Sequence, residues 1–179
     1  METDRRSFER TYEGCYDAIL RYCLRRTSRE DALDAAAETF LVAWRRRTDV
    51  PVGRELPWLY GVAGRVLANQ RRGRARQATA LANLRSVDGP DDGPETLVIQ
   101  HHETADLVNA LERLSVKDRE VVCLAGWEEL DRDELALAVG CTPNAATKRL
   151  NRALDRLGRE LGVAERKHVR FFRRGKVAS

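Results

Sequence analysis

Apolar residues recur along most of the chain at steps of three and four, the spacing of one helix face. Phe8, Tyr12, Cys15, Ile19 and Cys23 form the first such stripe and predict a helix over residues 7–25. Ser28 follows as an N-cap, with Asp31 three positions on, and opens a second helix to about residue 47. Ala32, Ala36, Phe40 and Ala43 make its apolar side; Asp34, Glu38, Leu41 and Arg45 make the other. Pro51, Gly53 and Pro57 then break the pattern, and Pro57 suits the first turn of a third helix over residues 57–77. Leu59, Val62, Ala63, Val66 and Leu67 face inward in it, while Arg65, Asn69, Arg72 and Arg76 line a second face. Gly61 and Gly64 each cost this helix about 1 kcal/mol relative to Ala. They imply close packing or the close approach of a ligand backbone.

Periodicity fades after residue 79. The stretch SVDGPDDGPE carries two Gly-Pro pairs among acids and reads as a flexible linker. It divides the chain into a helical domain over 1–78, a linker over 79–102, a second helical domain over 103–163 and a basic tail over 164–179. Leu107, Val108, Leu111 and Leu114 mark a short helix. Ser115 caps the next, whose core residues are Val121, Val122, Leu124 and Ala125. Neither a strand pattern nor a repeat interrupts this, so the expected fold is all-α.

Residues 131–157 predict a helix-turn-helix. Asp131 and Glu134 have the spacing of a capping box, and Leu130 and Leu135 that of a hydrophobic staple. Leu135, Ala136 and Val139 are the expected inward face, and Gly140 is the stop. Thr142 caps a second helix with Pro143 at its first position. A turn of only three residues, Gly140 to Thr142, forces a steep crossing. The second helix separates an apolar face (Ala146, Leu150, Ala153, Leu154, Leu157, Leu161) from a basic one (Lys148, Arg152, Arg156, Arg159, with Arg149 beside it). Asn144 stands near its N-terminus, where a recognition helix meets base edges.

Composition narrows the function classes. Apolar residues are 42% and charged residues 34%, and no run nears the about 20 apolar residues of a membrane span. The charged start METDRRSFER lacks a signal-peptide core, so a cytoplasmic location is expected. The net charge of +4 is mild, but nine Arg face two acids between residues 45 and 76. Cys15, Cys23, Cys123 and Cys141 form no C-x-x-C pair and read as small buried hydrophobes. His101 and His102 are adjacent and fall in the linker. With no metal spacing, nucleophile motif or phosphate loop, neither a cofactor nor an enzyme is expected. Trp44 and Tyr60, aromatics at helical spacing, are expected in the core; Trp58 is divided between core and ligand.

Residues 110–161 resemble the C-terminal promoter-binding domain of bacterial sigma factors, on Arg119-Glu120-Val121, Glu134-Leu135-Ala136 and Arg152-Ala153. LuxR-type regulators share much of that pattern. The stretch from Asp34 to Trp44 is similar to the polymerase-binding helix of extracytoplasmic-function (ECF) sigma factors, and Pro57-Trp58-Leu59-Tyr60-Gly61-Val62-Ala63 to the start of their helix for the −10 element. Leu33, Ala37, Gly64 and Ala146-Thr147 depart from the common pattern, and the tail with Phe171 and Phe172 extends past it.

The resemblance implies a non-enzymatic initiation factor with core RNA polymerase and promoter DNA as partners. Many members also have an anti-sigma factor. It implies that Asp34, Glu38 and Leu41 dock on polymerase. Arg54, Trp58, Arg65, Asn69 and Arg72 would handle the −10 region, with a base pocket in the loop over 46–56. Asn144, Lys148, Arg149 and Arg152 would read the −35 element. The acidic linker either mimics nucleic acid near the RNA path or is a solvated spacer. The rivals are a stand-alone helix-turn-helix regulator and a helical adaptor for an acidic partner.

Overall fold

The computed structural model describes residues 2–84 and 105–161. All its regular elements are helices: α1 (Glu2–Leu24), α2 (Arg29–Arg45), a single 3-10 turn (Arg47–Asp49), α3 (Glu55–Leu84), α4 (Ala105–Glu112), α5 (Val116–Gly126), α6 (Arg132–Val139) and α7 (Pro143–Glu160). The chain divides into two compact units, residues 1–96 and 97–179. The expectations for the acidic linker, His101, His102 and the tail with Phe171 and Phe172 fall outside the described residues.

In the first unit α1, α2 and α3 pack on one another pairwise. Ile19, Tyr22 and Cys23 from α1 meet the Ala32, Ala35, Ala36, Phe40 and Ala43 face of α2 and the Leu59, Val62, Ala63, Val66 and Leu67 face of α3, all buried. The alanines let helices approach closely, and each large apolar side chain buried here contributes roughly 1.5–3 kcal/mol. Gly64 serves this packing. A Cβ there would stand 3.1 Å from the Tyr22 hydroxyl. Tyr22 is itself clamped, with the Tyr60 ring 5.2 Å away and the Arg26 guanidinium 3.6 Å above it. Ser28 caps α2 by accepting from the Asp31 amide.

Three expectations change here. α1 begins at Glu2 rather than near residue 7, because its first turns are helix-forming but face no core; the Arg5–Glu9 pair, 2.9 Å apart, marks their exposed side. α3 starts two residues before Pro57 and continues to Leu84. Pro57 remains inside the first turn, where no amide is needed, and the Ala-rich residues past 77 hold no breaker. Trp44 is 39% exposed, whereas Trp58 and Tyr60 are buried. The Trp44 ring lies at the edge of the core, partly covered by Phe8, edge-on at 5.1 Å, and by the Arg47 guanidinium at 5.3 Å.

In the second unit α7 lies against α5, α6 and α4. Ala110, Leu111, Leu114, Val122, Ala153 and Leu157 make its central cluster, with Trp127, Leu150, Leu154 and Leu161 around it. On α6 the buried residues are Leu135, Ala136 and Ala138, with Val139 only half-buried; Val139 is the last residue of the helix, beside the exposed Gly140. Ala125 is likewise half-buried. The four cysteines are free. Burial pushes the Cys15 thiol up from its ordinary value, and the Glu55 carboxylate adds to this. That opposes a reactive thiolate. Among the described residues no helix is long and apolar enough to cross a membrane, and no cluster could hold a metal.

Candidate nucleic-acid interface

The local chemistry of α6 and α7 builds the turn almost residue by residue. The Asp131 carboxylate accepts from the Asp133 and Glu134 amides, each at 2.9 Å, and the Asp131 amide donates to the Glu134 carboxylate at 2.8 Å. Gly140 ends α6 in the left-handed region, φ 67°, which a side chain would oppose. The Cys141 amide then donates back to the Ala136 carbonyl at 3.0 Å, completing a Schellman-type stop. One residue on, the Thr142 hydroxyl accepts from the Ala145 amide and α7 begins, with Pro143 in its first turn.

On α7, Asn144, Lys148 and Arg152 are exposed and Arg149 is half-buried. At about 100° per residue these four span an arc of roughly 140°, opposite the buried Ala146, Ala153 and Leu157. None is in an ion pair with a described residue; Arg152 makes only a 3.4 Å bond to the Lys148 carbonyl of its own helix. The arc is therefore a set of uncommitted donors at the start of a helix. Arg156 is different. It lies at the edge of the arc and donates to Asp118 of α5, a carboxylate only 8% exposed. It is thus taken from the basic stripe that the spacing drew, because the α5 packing brings a buried acid beneath it.

On α3, Arg65, Asn69 and Arg72 are exposed along one side, and the Arg72 guanidinium donates to the Asn69 side-chain oxygen at 2.6 Å. Arg54 stands exposed in the loop just before α3, its carbonyl accepting from the Trp58 amide. Trp58 does not join them. It is 8% exposed, with the Arg46 guanidinium 5.8 Å from its ring, and its place is in the packing. The loop between α2 and α3 is pinned by the Gly53 amide, which donates to Glu55 at 2.9 Å. A half-open recess of about 150 Å³ sits beside it, lined by Phe8, Thr11, Ala43, Arg47, Thr48 and Val50, among others.

The outer face of α2 presents Asp34, Glu38 and Leu41, all exposed, Leu41 by 53%. Leu33 and Trp44 flank them and are also exposed. In the sequence Leu33 reads as a departure that makes this face less polar, whereas Trp44 is expected in the core. The signal was present in the spacing of 33, 37, 41 and 44, one helix edge.

Residues 104–157 match the family profile described as Sigma-70, region 4. The chain is 30% identical over 172 residues to the ECF RNA polymerase sigma factor SigD of Mycobacterium tuberculosis, an alignment covering 90% of this chain and 80% of that protein. It belongs to the ECF RNA polymerase sigma factors. An RNA polymerase sigma-E factor of Streptomyces avermitilis is 33% identical over 156 residues, covering 86% of this chain and 84% of its own. Among solved structures, the sigma factor RpoE of Bartonella quintana, crystallised with the anti-sigma factor NepR, superimposes with a TM-score of 0.64. That match has 22% identity and covers 89% of this chain and 99% of the other, a likeness of fold. The protein is thus a promoter-directing transcription initiation factor, and the stand-alone regulator is set aside.

Proposed function

We propose that this sigma factor reads the −35 element in the major groove with Asn144, Lys148, Arg149 and Arg152 of α7. The observation that carries this is the arc of unpaired donors at the start of a helix whose turn and caps are fully formed. Asn and Arg offer bidentate contacts to base edges, and Lys suits phosphate. Arg54, Arg65, Asn69 and Arg72 then serve the −10 region. The recess beside the α2–α3 loop takes an unpaired base, its hydroxyls and the Phe8 ring offsetting part of the few kcal/mol that unstacking costs. Asp34, Glu38 and Leu41 dock on the helical hairpin of the large polymerase subunit. Leu33 and Trp44 make that surface more apolar. An anti-sigma factor is a further partner in keeping with the family.

The test is transcription with purified core polymerase on promoters carrying every −35 substitution. Arg149→Ala is expected to relax the preference at one base pair, by roughly 1–3 kcal/mol of discrimination. Lys148→Ala is expected to weaken all promoters alike and to lower the salt slope by about 1. Uniform loss on every −35 sequence with Arg149→Ala would move that residue to a phosphate role.

A further inference from the structure

α3 is the longest described helix, 30 residues, or about 45 Å. Its partner α2 has 17 residues, or about 26 Å. The two run antiparallel, since the loop after α2 leads into α3 while Arg74 of α3 meets Asp31 at the start of α2. Between residues 68 and 79 no α3 position is buried; Asn69, Arg71, Arg72 and residues 74–77 are exposed. This stretch therefore runs along α2 towards its start with no buried side chain to fix its rotation.

A polar clasp fixes it instead. Arg74 donates to the Asp31 carboxylate at 2.6 Å and to the Thr27 hydroxyl at 3.4 Å, across 43 and 47 residues of chain. Asp31 is held in turn, accepting from the Ser28 hydroxyl at 2.7 Å and from Thr27 at 3.3 Å. The same Ser28 hydroxyl caps α2. The clasp thus rests on the rigid start of a helix rather than on a loose surface pair. At about 100° per residue, Arg74 lies roughly 180° from Arg65 and 160° from Arg72. It stands, half exposed, on the side of α3 that meets the start of α2, while they stand on the opposite side.

We infer that Arg74 is a positioning residue: its bonds to Asp31 and Thr27 set the rotation of the outer half of α3 and so aim Asn69 and Arg72 at the −10 strand. An arginine on a basic DNA-facing helix is otherwise read as a phosphate ligand, and here the geometry assigns it the opposite side. The Ser28 hydroxyl bond, with the Arg74 charge behind it, holds the Asp31 carboxyl below its ordinary value despite some burial, so the acceptor stays ionised. This inference rests on α3 being the −10 helix.

The experiment uses the full chain bound to core polymerase on a promoter that it opens. Permanganate reactivity of −10 thymines reads melting, and the salt dependence of promoter affinity reads phosphate contacts. Asp31→Asn and Arg74→Gln are each expected to lower melting by up to roughly fivefold, the upper range for one partly exposed ion pair. The double variant should be no worse than either single, and the salt slope should stay unchanged in all three. If Arg74→Gln lowers the slope by about 0.9 while Asp31→Asn melts normally, Arg74 is a phosphate ligand and the inference falls. Additive losses, or melting unchanged in both singles, also overturn it. Arg74 is exposed enough that its substitution leaves the bundle folded, and far-UV circular dichroism checks this. Arg72→Ala runs alongside. Normal melting in that variant would sink the −10 assignment itself, independently of the clasp.

Discussion

At the scale of single residues, glycines inside α3 show how one sequence feature carries opposite meanings. Gly64 and Gly73 both lower the helical propensity of α3. A Cβ at Gly73 would meet nothing within 4 Å, while one at Gly64 would press on the Tyr22 hydroxyl. Tyr22 is fully buried and held on two sides by Tyr60 and Arg26, so it cannot yield. Gly73→Ala is therefore expected to stabilise the protein by roughly 0.5–1 kcal/mol. Gly64→Ala should lose that gain and destabilise. Thermal unfolding of the two variants checks the contrast, and equal stabilisation would show that the Tyr22 contact is soft.

At the scale of elements, the helices are defined by their ends more than by their middles. α2, α5, α6 and α7 each open on a Ser, Asp or Thr whose side chain accepts from a first-turn amide. The Asp131–Glu134 box matters most, because α6 has only eight residues and such a helix is marginal without tertiary support. Asp131→Ala is expected to cost about 1 kcal/mol, a fall of roughly 4–8 °C in the midpoint of a unit this small. Binding to −35 duplex should weaken in parallel, since α6 is one of the walls against which α7 is seated. Calorimetry and duplex titration on one sample test this; loss of binding without loss of stability would mean that Asp131 acts on DNA rather than through the helix.

At the scale of the whole molecule, the proposed DNA contacts are split between two units, each with its own buried core. Asn144, Lys148, Arg149 and Arg152 lie in one; Arg54, Arg65, Asn69 and Arg72 lie in the other. Each grip has few base-reading groups, so neither alone yields a tight site. Joined on polymerase, the second contact becomes intramolecular and gains from effective concentration. Inserting about five base pairs between the two promoter elements turns one by roughly half a helical turn relative to the other. Transcription should then fall to background while binding of the free protein to isolated −35 duplex is unchanged. A promoter that tolerates the insertion would show that the two contacts are not used together.

Local features were decided within a few residues and could be read directly. The N-caps at Ser28, Ser115, Asp131 and Thr142, the glycine stop at 140 and the inward faces of α2, α3 and α7 depend on hydrogen bonds and contacts spanning three to eight positions, so spacing alone specifies them. The polar faces of α3 and α7 were found the same way, as the side left over when the apolar side is known, and the family resemblance gave them their proposed DNA roles. What spacing could not supply was anything that depends on a distant neighbour. Trp44 and Trp58 look alike as helical aromatics, and only the placement of Phe8 and Arg46 puts one outside and the other in the core. Arg156 looks like a further member of the basic stripe of α7, and Arg74 like one more charge of a basic helix, yet each is claimed by an acid 38 or 43 residues away. The length of α3 beyond residue 77 also escaped periodicity, because residues 68–79 hold no buried position to carry an apolar pattern outward. The sequence by itself thus determined the helices, their capped ends and their family; tertiary packing decided which charged and aromatic side chains remain free to touch DNA, because a long side chain takes whichever partner the folded chain brings within reach.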